Sequence, residues 1–465
     1  MNMINVRRLT VMTFLGAGML SGISAQVSPL QVDTLKETKI PDQWDLQSCI
    51  DYAKEQNITI RKNRITAVST QIDVKTAKAA LFPSLSFSTG HQVVNRPYQE
   101  TSSRVSGSEI ISSNSKTSYN GNYGLNASWT LYNGNKRLKT IQQEKLNNQM
   151  AELDVATSEN NIQESIAQVY IQILYAAESV KVNENTLQVS IAQRDRGQEL
   201  LNAGSIAKSD LAQLEAQVST DRYQLVTAQA TLEDYKLQLK QLLELDGENE
   251  MNIFLPALSD ENVLAPLPTK RDVYISALSL RPEIEASKLN VEASELGINI
   301  AKSSYFPTIS LSAGIGTNHT SGSDFTFGEQ VKNGWNNSIG VSVSVPIFNN
   351  RQTKSAVQKA KLQRETSMLN LLDEQKNLYK AIEGLWLDAN TAQQRYVAAQ
   401  EKLRSTQTSY ELVSEQFNMG MKNTVELLTE KNNLLSAQQE TLQAKYMAIL
   451  NAQLLKFYQG EEIQL

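Results

Sequence analysis

The side chains that most often carry out catalysis are scarce in this chain, and none lies in a catalytic pattern. The 465 residues include one cysteine, Cys49, and two histidines, His91 and His319. Neither histidine has a partner at metal-ligand spacing, which predicts that the chain has no metal site. No Walker, Rossmann, HExxH or GxSxG pattern occurs. We therefore expect a protein that is not an enzyme and needs no cofactor.

The charge balance argues against a nucleic-acid partner. Lys and Arg total 44 against 49 Asp and Glu, a formal net charge of -5, whereas a nucleic-acid binder needs a clustered excess of basic residues. The single cysteine excludes a disulfide framework. Its position beside Ile50 on a helical segment predicts a small, buried hydrophobic side chain.

The first 25 residues predict an export signal. Arg7 and Arg8 precede a mostly apolar run, and small residues precede a cleavage point at Gln26. The apolar run is shorter than the roughly 20 residues that a spanning helix needs, so a membrane anchor is the weaker interpretation. Residues 26–41 are then an N-terminal extension.

Two short segments, residues 201–209 and 417–424, have the composition of a turn between two helices. Each contains a glycine, Gly204 or Gly420, suited to the left-handed conformation at a helix C-terminus. A hydroxyl N-cap and an early acidic residue for the next helix then follow. These pairs are Ser209 with Asp210 and Thr424 with Glu426.

Very long helical patterns precede both turns. Residues 135–200 and 350–417 would each span about 100 Å at 1.5 Å per residue. In the first, apolar residues recur at alternating steps of four and three, a heptad pattern that predicts antiparallel coiled-coil hairpins. These residues are Ile162, Ile166, Val169, Ile173, Ala176 and Val180. A plain helical bundle is the alternative, but helices of this length exceed its usual range.

Alternation with period two predicts four strands in two hairpins, residues 83–132 and 307–348. One face of each strand is apolar, and the other carries Ser, Asn and Gly with almost no Lys or Glu. A soluble sheet usually places charges on its wet face, so a barrel with lipid outside and water inside fits better than a half-buried antiparallel sheet, which stays an alternative. The residues predicted to face lipid are Leu85, Phe87, Tyr123, Leu125, Trp129, Leu311, Val341, Val343 and Val345.

Four strands cannot close a membrane barrel, because known barrels start at about eight strands. An open sheet edge is not tolerated in lipid, so either two or three chains must contribute strands. Polar segments 95–118 and 318–334 are predicted to be exposed loops. Aromatic residues near the strand ends could form an interfacial girdle. These are Trp129, Tyr132, Trp335 and Phe348.

The chain contains an internal duplication. Residues 77–90 (AKAALFPSLSFSTG) and 301–314 (AKSSYFPTISLSAG) are identical at seven of fourteen positions. Two copies are too few for a solenoid. The predicted organisation is a first repeat over 42–250 with the helical hairpin 135–246, a linker over 251–270, and a second repeat over 271–465 with the helical hairpin 350–460.

Several motifs, in order along the chain, resemble the TolC family of outer-membrane efflux and secretion channels. They are WDLQSCIDYAKEQN (44–57), the helix-to-strand switches LFPSLSFS and YFPTISLS, YNGNKR (132–137), LRPEIEAS (280–287) and the turns at Gly204 and Gly420. The resemblance covers about residues 42–460. The chain differs from many members of the family in lacking a lipid-attachment cysteine, so anchoring would rest on the barrel.

The resemblance implies a mainly α protein with a membrane β-barrel part. In a homotrimer, four strands from each protomer would form one 12-stranded outer-membrane β-barrel, continued by a coiled-coil helical tunnel in the periplasm. The linker would lie in the equatorial region of that tunnel. The turns would be hairpin tips that dock a periplasmic adaptor (membrane fusion) protein. The tip residues implied are Gly204, Ser205, Asp210, Gly420, Met421 and Glu426.

The function implied is a passive outer-membrane channel of a tripartite efflux pump. It would conduct drugs and toxic small molecules that an inner-membrane RND or ABC transporter delivers. An alternative is the outer-membrane duct of a type I protein secretion system. A structural coiled-coil protein of the envelope is a weaker alternative, because it explains the heptads but not the two pairs of strands.

Overall fold

The structure is a computed structural model. The described residues are 41–98, 102–106, 109–113, 116–246, 251–256, 263–321, 323 and 325–464, with side chains described outside 101–115. The predicted export signal, residues 1–25, and all but the last residue of the predicted extension lie outside this range. Part of the predicted linker also lies outside it.

Four strands form one antiparallel sheet in the order β1-β4-β5-β6. A separate two-stranded hairpin, β2-β3, connects β1 to β4. The strands are β1 Ser84–Asn95, β2 Ser102–Ser106, β3 Glu109–Ser113, β4 Thr117–Asn133, β5 Thr308–Thr320 and β6 Asn336–Ser344.

In the described part of the chain, the helices are arranged alike in both repeats except for one short helix, α7 (Phe327–Asn333), which occurs only in the second. They are α1 Leu46–Gln56, α2 Ile58–Ala79, α3 Lys136–Asn202, α4 Lys208–Leu242, α5 Lys270–Leu280, α6 Pro282–Lys302, α7 Phe327–Asn333, α8 Gln352–Asn418 and α9 Thr424–Tyr458. Among the described residues, no helix is both long and apolar enough to cross a membrane.

The two polar segments that were predicted as exposed loops contain regular structure. The first holds the β2-β3 hairpin. In the second, β5 extends to Thr320 and α7 follows. Helix α7 begins with a capping box in which Thr326 Oγ1 accepts from the Glu329 amide (3.4 Å) and Glu329 Oε2 accepts from the Thr326 amide (2.8 Å). The T-x-x-E spacing is a known helix-start signal, so this helix could have been predicted.

Each long helix begins after two consecutive residues in the left-handed region. Gly134 and Asn135 have φ of 64° and 63°, and Asn350 and Arg351 have φ of 50° and 67°. This conformation turns the chain from the last strand of each hairpin into the helix that follows. It costs roughly 1–2 kcal/mol for a residue with a side chain, so the turn must be stabilised by the packing on either side.

The main hydrophobic core lies along α3, which packs against both α1 and α9. Trp44 and Tyr170 are each 1% exposed there. The Tyr170 hydroxyl donates to the carbonyl of Phe254 over 2.5 Å, and Trp44 forms a parallel β-bridge with Ile253. The prediction for Cys49 is confirmed: its side chain is fully buried in this core, and burial raises the pKa of its thiol to about 12.

A second core packs the helices of the second repeat together, and a charged contact beside it reaches the first repeat. Arg281, between α5 and α6, donates to Glu164 Oε1 on α3 over 2.8 Å. Its guanidinium lies 3.7 Å from the ring centroid of Tyr458 on α9, a cation–π contact. Burial raises the pKa of Glu164 despite this partner. The two repeats are therefore tied together by a charged contact inside the protein.

A buried polar cluster connects the two helical hairpins. It consists of Ser190 on α3, Asp221 on α4 and Lys431 on α9, which are at most 3% exposed. The Lys431 ammonium donates to both the Ser190 hydroxyl and the Asp221 carboxylate. Gln217 Nε2 donates to the other carboxylate oxygen over 2.9 Å. Burial lowers the pKa of Lys431, so the ion pair offsets a real desolvation cost.

Replacing Asp221 with alanine should destabilise the region where the hairpins meet. Lys431 would keep its charge in a buried site without a counter-ion, which typically costs about 3–5 kcal/mol. Hydrogen–deuterium exchange at the amides flanking residues 190, 221 and 431 measures the local opening free energy. The control is Glu440→Ala, because the Lys402–Glu440 pair is 2.8 Å long but about half exposed and should be worth at most about 1 kcal/mol. An equal loss of opening free energy in the two variants would contradict the larger stabilisation assigned to the buried ion pair.

Candidate functional site

One face of the four-stranded sheet is polar and uncharged. The register aligns its residues in rows across the strands, and none of the four strands contains Asp, Glu, Lys or Arg. Two successive rows are Ser84, Ser128, Ser312 and Gly340, then Ser86, Asn126, Gly314 and Ser338. Hydroxyls within the rows bond to their neighbours, as between the Oγ atoms of Ser84 and Ser128 at 2.8 Å. This face offers water many weak hydrogen-bonding groups and no fixed charge.

The opposite face is apolar and exposed. Leu85 and Phe87 on β1 are 70% and 67% exposed, and Val341 and Val343 on β6 are 66% and 61% exposed. Leu125 lies opposite Phe87, and Leu311 lies between Trp129 and Val341 in one row. The structure thus brings the residues predicted to face lipid onto one surface, except Val345. That residue lies just beyond the end of β6 at Ser344.

A bulge interrupts the pairing of β4 with β5. The register shifts between Thr130 and Tyr132, so Tyr132 rather than Leu131 lies opposite Ile309. Strict alternation along β4 would put Leu131 in that position, so the bulge shifts the pairing after Thr130 by one residue. Beside the bulge, Trp129 Nε1 donates to the carbonyl of Leu81 over 2.7 Å. The indole therefore remains hydrogen-bonded at the end of the sheet nearest the helices.

The sheet has two edges that lack a partner strand. In the described part of the chain, β1 pairs only with β4, and β6 pairs only with β5. An edge presents a row of unpaired N–H and C=O groups. Next to an exposed apolar face, such edges cannot lie in lipid without a neighbour that satisfies them.

The two helical hairpins turn at the predicted glycines in nearly identical conformations. Gly204 and Gly420 have φ of 74° and 73°. In the first turn, the Gly204 amide donates to Leu201 O and the Ser205 amide donates to Leu200 O. The second turn repeats both bonds, and together they define a Schellman motif. A Cβ built at either glycine meets nothing within 4 Å, so only the backbone conformation requires glycine here.

The predicted N-caps after these turns were wrong, whereas the acidic residues take the expected place. Helix α4 begins after Ala207, whose amide donates to Asp210 Oδ2 over 3.0 Å, so Ser209 is not the cap. Helix α9 is capped by Asn423, which accepts from the Glu426 amide over 2.9 Å, and Thr424 is inside the helix. Asparagine caps at least as well as threonine, so Asn423 was the better candidate.

The two tips differ in surface chemistry. At the second tip, Met419, Met421 and Val425 are between 57% and 63% exposed. Lys422 donates to Glu426 Oε1 over 2.6 Å, and this contact lowers the pKa of Glu426. The first tip exposes the small residue Ser205 in place of Met421. The tips thus share a backbone but present different contacts.

The histidines lie together, which their spacing in the sequence did not suggest. His91 on β1 and His319 on β5 both lie opposite Gly121 on β4. Among the described residues, no group of three or more His, Cys, Asp or Glu side chains could hold a metal ion. Only the register of three strands brings these two rings into one row.

Comparison with known proteins assigns the fold. The model of the outer membrane efflux protein family matches residues 49–244 and 273–461. Outer membrane efflux protein BepC of Brucella suis is 25% identical over 63% of either chain, so the match spans slightly less than two thirds of that relative. Toxin and drug export protein A of Aggregatibacter actinomycetemcomitans is 22% identical over 89% of this chain and 87% of its own length.

A solved structure supports the same conclusion. CusC, named as a cation efflux system protein in Escherichia coli, superposes with a TM-score of 0.75 over 89% of this chain and 91% of its own, at 19% identity. The fold is that of TolC-like channels, which confirms the predicted fold class. The chain belongs to the outer membrane efflux protein family, and this membership confirms the predicted outer-membrane location.

Adjacent residues on β6 allow a direct test of the two faces. Val343→Arg should impair insertion, because an arginine facing lipid is destabilising, by about 2–4 kcal/mol at the bilayer midplane and by less toward the ends of the strands. Ser342→Arg is the matched control, since its neighbour in the register is Ser310 on the polar face. Insertion into lipid vesicles is measured by the heat-modifiable shift in electrophoretic mobility. Impairment by Ser342→Arg alone would reverse the assignment of the faces.

Proposed function

We propose that this protein is the outer-membrane channel of a tripartite efflux pump, through which drugs and toxic small molecules leave passively. The observation that carries the proposal is the uncharged face of Ser, Asn and Gly that runs across all four strands, with an exposed apolar face behind it. This is the alternation of a barrel with a water-filled interior. Many weak polar groups wet such a channel without binding one solute strongly.

The proposed assembly is a homotrimer in the outer membrane. The unpaired edges of β1 and β6 support it, because copies of the chain could pair β6 of one with β1 of the next. The physical minimum of about eight strands allows either two or three copies. The resemblance to the TolC family favours three, giving a barrel of 12 strands from four in each chain.

The hairpin tips are proposed to dock a periplasmic adaptor protein. Gly204 and Gly420 have open space where a side chain would lie, so a partner backbone could approach closely. Ser205, Asp210, Met421 and Glu426 would lie beside them. At the second tip, the exposed Met421 offers a flexible apolar contact that adapts to a partner surface. An inner-membrane RND or ABC transporter would supply the energy, and the channel itself would do no chemistry.

A second candidate is the duct of a type I protein secretion system. It is favoured by the relative named for both toxin and drug export, which aligns over 87% of its own length. The two functions need the same open, uncharged channel and differ in the pump that feeds it. Cation export, as in the name of CusC, would belong to the same mechanism with another cargo.

Deleting the gene distinguishes these cargoes. Loss of an efflux channel should increase sensitivity to drugs and bile salts at least several-fold, and loss of a secretion duct should remove specific proteins from the culture medium. Sensitivity to metal salts tests cation export in the same strain. Complementation with the native gene is the control. Unchanged sensitivity together with an unchanged set of secreted proteins would contradict both candidates.

The docking assignment predicts that Gly204→Val with Gly420→Val abolishes export but leaves the oligomer in the outer membrane. Valine in the left-handed region strains each turn by roughly 1–2 kcal/mol, and the tips lie about 100 Å of helix from the strands. Adaptor co-purification and substrate accumulation are the measurements. Gly384→Ala, within α8 and also without neighbours within 4 Å, is the control. Normal co-purification of the adaptor with the double variant would contradict the assignment of the tips as its docking site.

A further inference from the structure

The row formed by His91, Gly121 and His319 crosses three strands at the end of the sheet away from the long helices α3 and α8. The three residues are paired directly, β1 to β4 and β4 to β5. Tyr119 and Tyr123 flank Gly121 on the same face of β4. The row lies at the far end of the apolar face, because His91 and His319 share the strand parity of Leu85 and Leu311. A face that only contacts lipid needs no pair of histidines, so the proposed channel function does not account for the row.

Gly121 allows the two imidazole rings to converge. A Cβ at this position would lie 2.6 Å from His319 Nδ1 and 3.2 Å from His91 Nδ1. The two nitrogens are therefore no more than about 5.8 Å apart, since both lie that close to one point. Any residue larger than glycine would push at least one ring away. Glycine at the centre of a strand weakens it, which calls for a reason such as close approach.

Hydrogen bonds orient the first ring toward this point. His91 Nδ1 lies 2.7 Å from the Tyr119 hydroxyl, and His91 Nε2 lies 3.1 Å from Thr89 Oγ1. Both contacts are satisfied when Nε2 carries the proton and donates to Thr89 while Nδ1 accepts from Tyr119. The lone pair of His91 Nδ1 then accepts from the Tyr119 hydroxyl, while Nε2 is held by an outer partner, as in many metal-ligating histidines.

The second ring has a nitrogen with no partner. His319 Nδ1 is buried and makes no hydrogen bond. Two aromatic rings enclose the imidazole, each with its centroid 5.1 Å from the imidazole centroid. They are Tyr119, at an interplanar angle of 66°, and Phe327 of α7, at 78°. A buried polar atom without a partner is rare and commonly marks the place of a bound water or ion.

We propose that His91 and His319 bind a late first-row divalent ion (Zn²⁺, Cu²⁺ or Ni²⁺) over Gly121. Neutral imidazole nitrogens suit these metals, and metal–nitrogen bonds of about 2.0–2.1 Å could join the two rings after a small shift. Tyr119 would release its hydrogen bond to His91 so that the Nδ1 lone pair could turn to the ion, and water would fill the remaining coordination positions. The ion would tie β1 to β5 across β4 and hold α7 through His319. This inference does not depend on which cargo the channel carries.

The test uses the untagged, metal-free oligomer in detergent, titrated separately with Zn²⁺, Cu²⁺ and Ni²⁺ by calorimetry. We expect one ion per chain for at least one of these metals and a higher melting temperature with it. His319→Gln and His91→Gln should each weaken binding at least tenfold. Gly121→Ala should also weaken binding at least tenfold although both histidines remain, because the alanine Cβ would occupy the point between the two rings.

Gly124→Ala is the matched control. Gly124 is on the same strand, but its Cβ would meet neighbours only at 3.4 Å, so binding should be unchanged. The heat-modifiable mobility of each variant shows whether it has folded. A native protein that binds none of the three ions overturns the proposal and leaves water as the partner of His319. Binding that is unaltered in folded His319→Gln and Gly121→Ala overturns it equally.

Discussion

Backbone groups inside a bilayer have no water to bond, and this constraint governs the structure. The four-stranded sheet ends at β1 and β6 with unpaired edges, while its apolar face is exposed. Each unsatisfied N–H or C=O in hydrocarbon costs several kcal/mol. A single chain therefore cannot place this sheet in lipid, and in the proposed homotrimer the copies would complete each other's hydrogen bonding. The need for a neighbour at each edge therefore follows from the backbone alone, before any side chain is considered.

The long helices show the same incompleteness. Helix α8 exposes a series of large apolar residues, including Leu362 at 69%, Leu369 at 59% and Leu387 at 58%. Soluble monomers rarely expose apolar surface in continuous patches. Within one chain, the two repeats are joined partly by buried ion pairs. These are Arg281 with Glu164 and Lys431 with Asp221. In the proposed homotrimer, neighbouring copies would also cover these apolar residues.

Features that repeat along the chain could be predicted from the sequence, and features that depend on pairing could not. Alternation with period two and heptads are visible because every residue adds to the pattern. The bulge before Tyr132 adds a single residue and leaves no periodic trace. The buried contact of Lys431 with Asp221 joins residues 210 apart in the sequence. His91 and His319 become neighbours only through the strand register, so a search for spaced ligands could not find them.

Comparison of the two repeats shows which features the backbone geometry requires and which are free to vary for binding a partner. Helices α3 and α8 both contain 67 residues, and α4 and α9 both contain 35. One extra residue would rotate the rest of a helix by about 100° and advance it by 1.5 Å, which would displace the seam between the hairpins. Helix length is therefore tightly constrained, and so is the left-handed glycine at each turn. The side chains beside those glycines carry no such constraint, and Ser205 and Met421 have diverged. Discrimination between partners can reside there without any change to the scaffold.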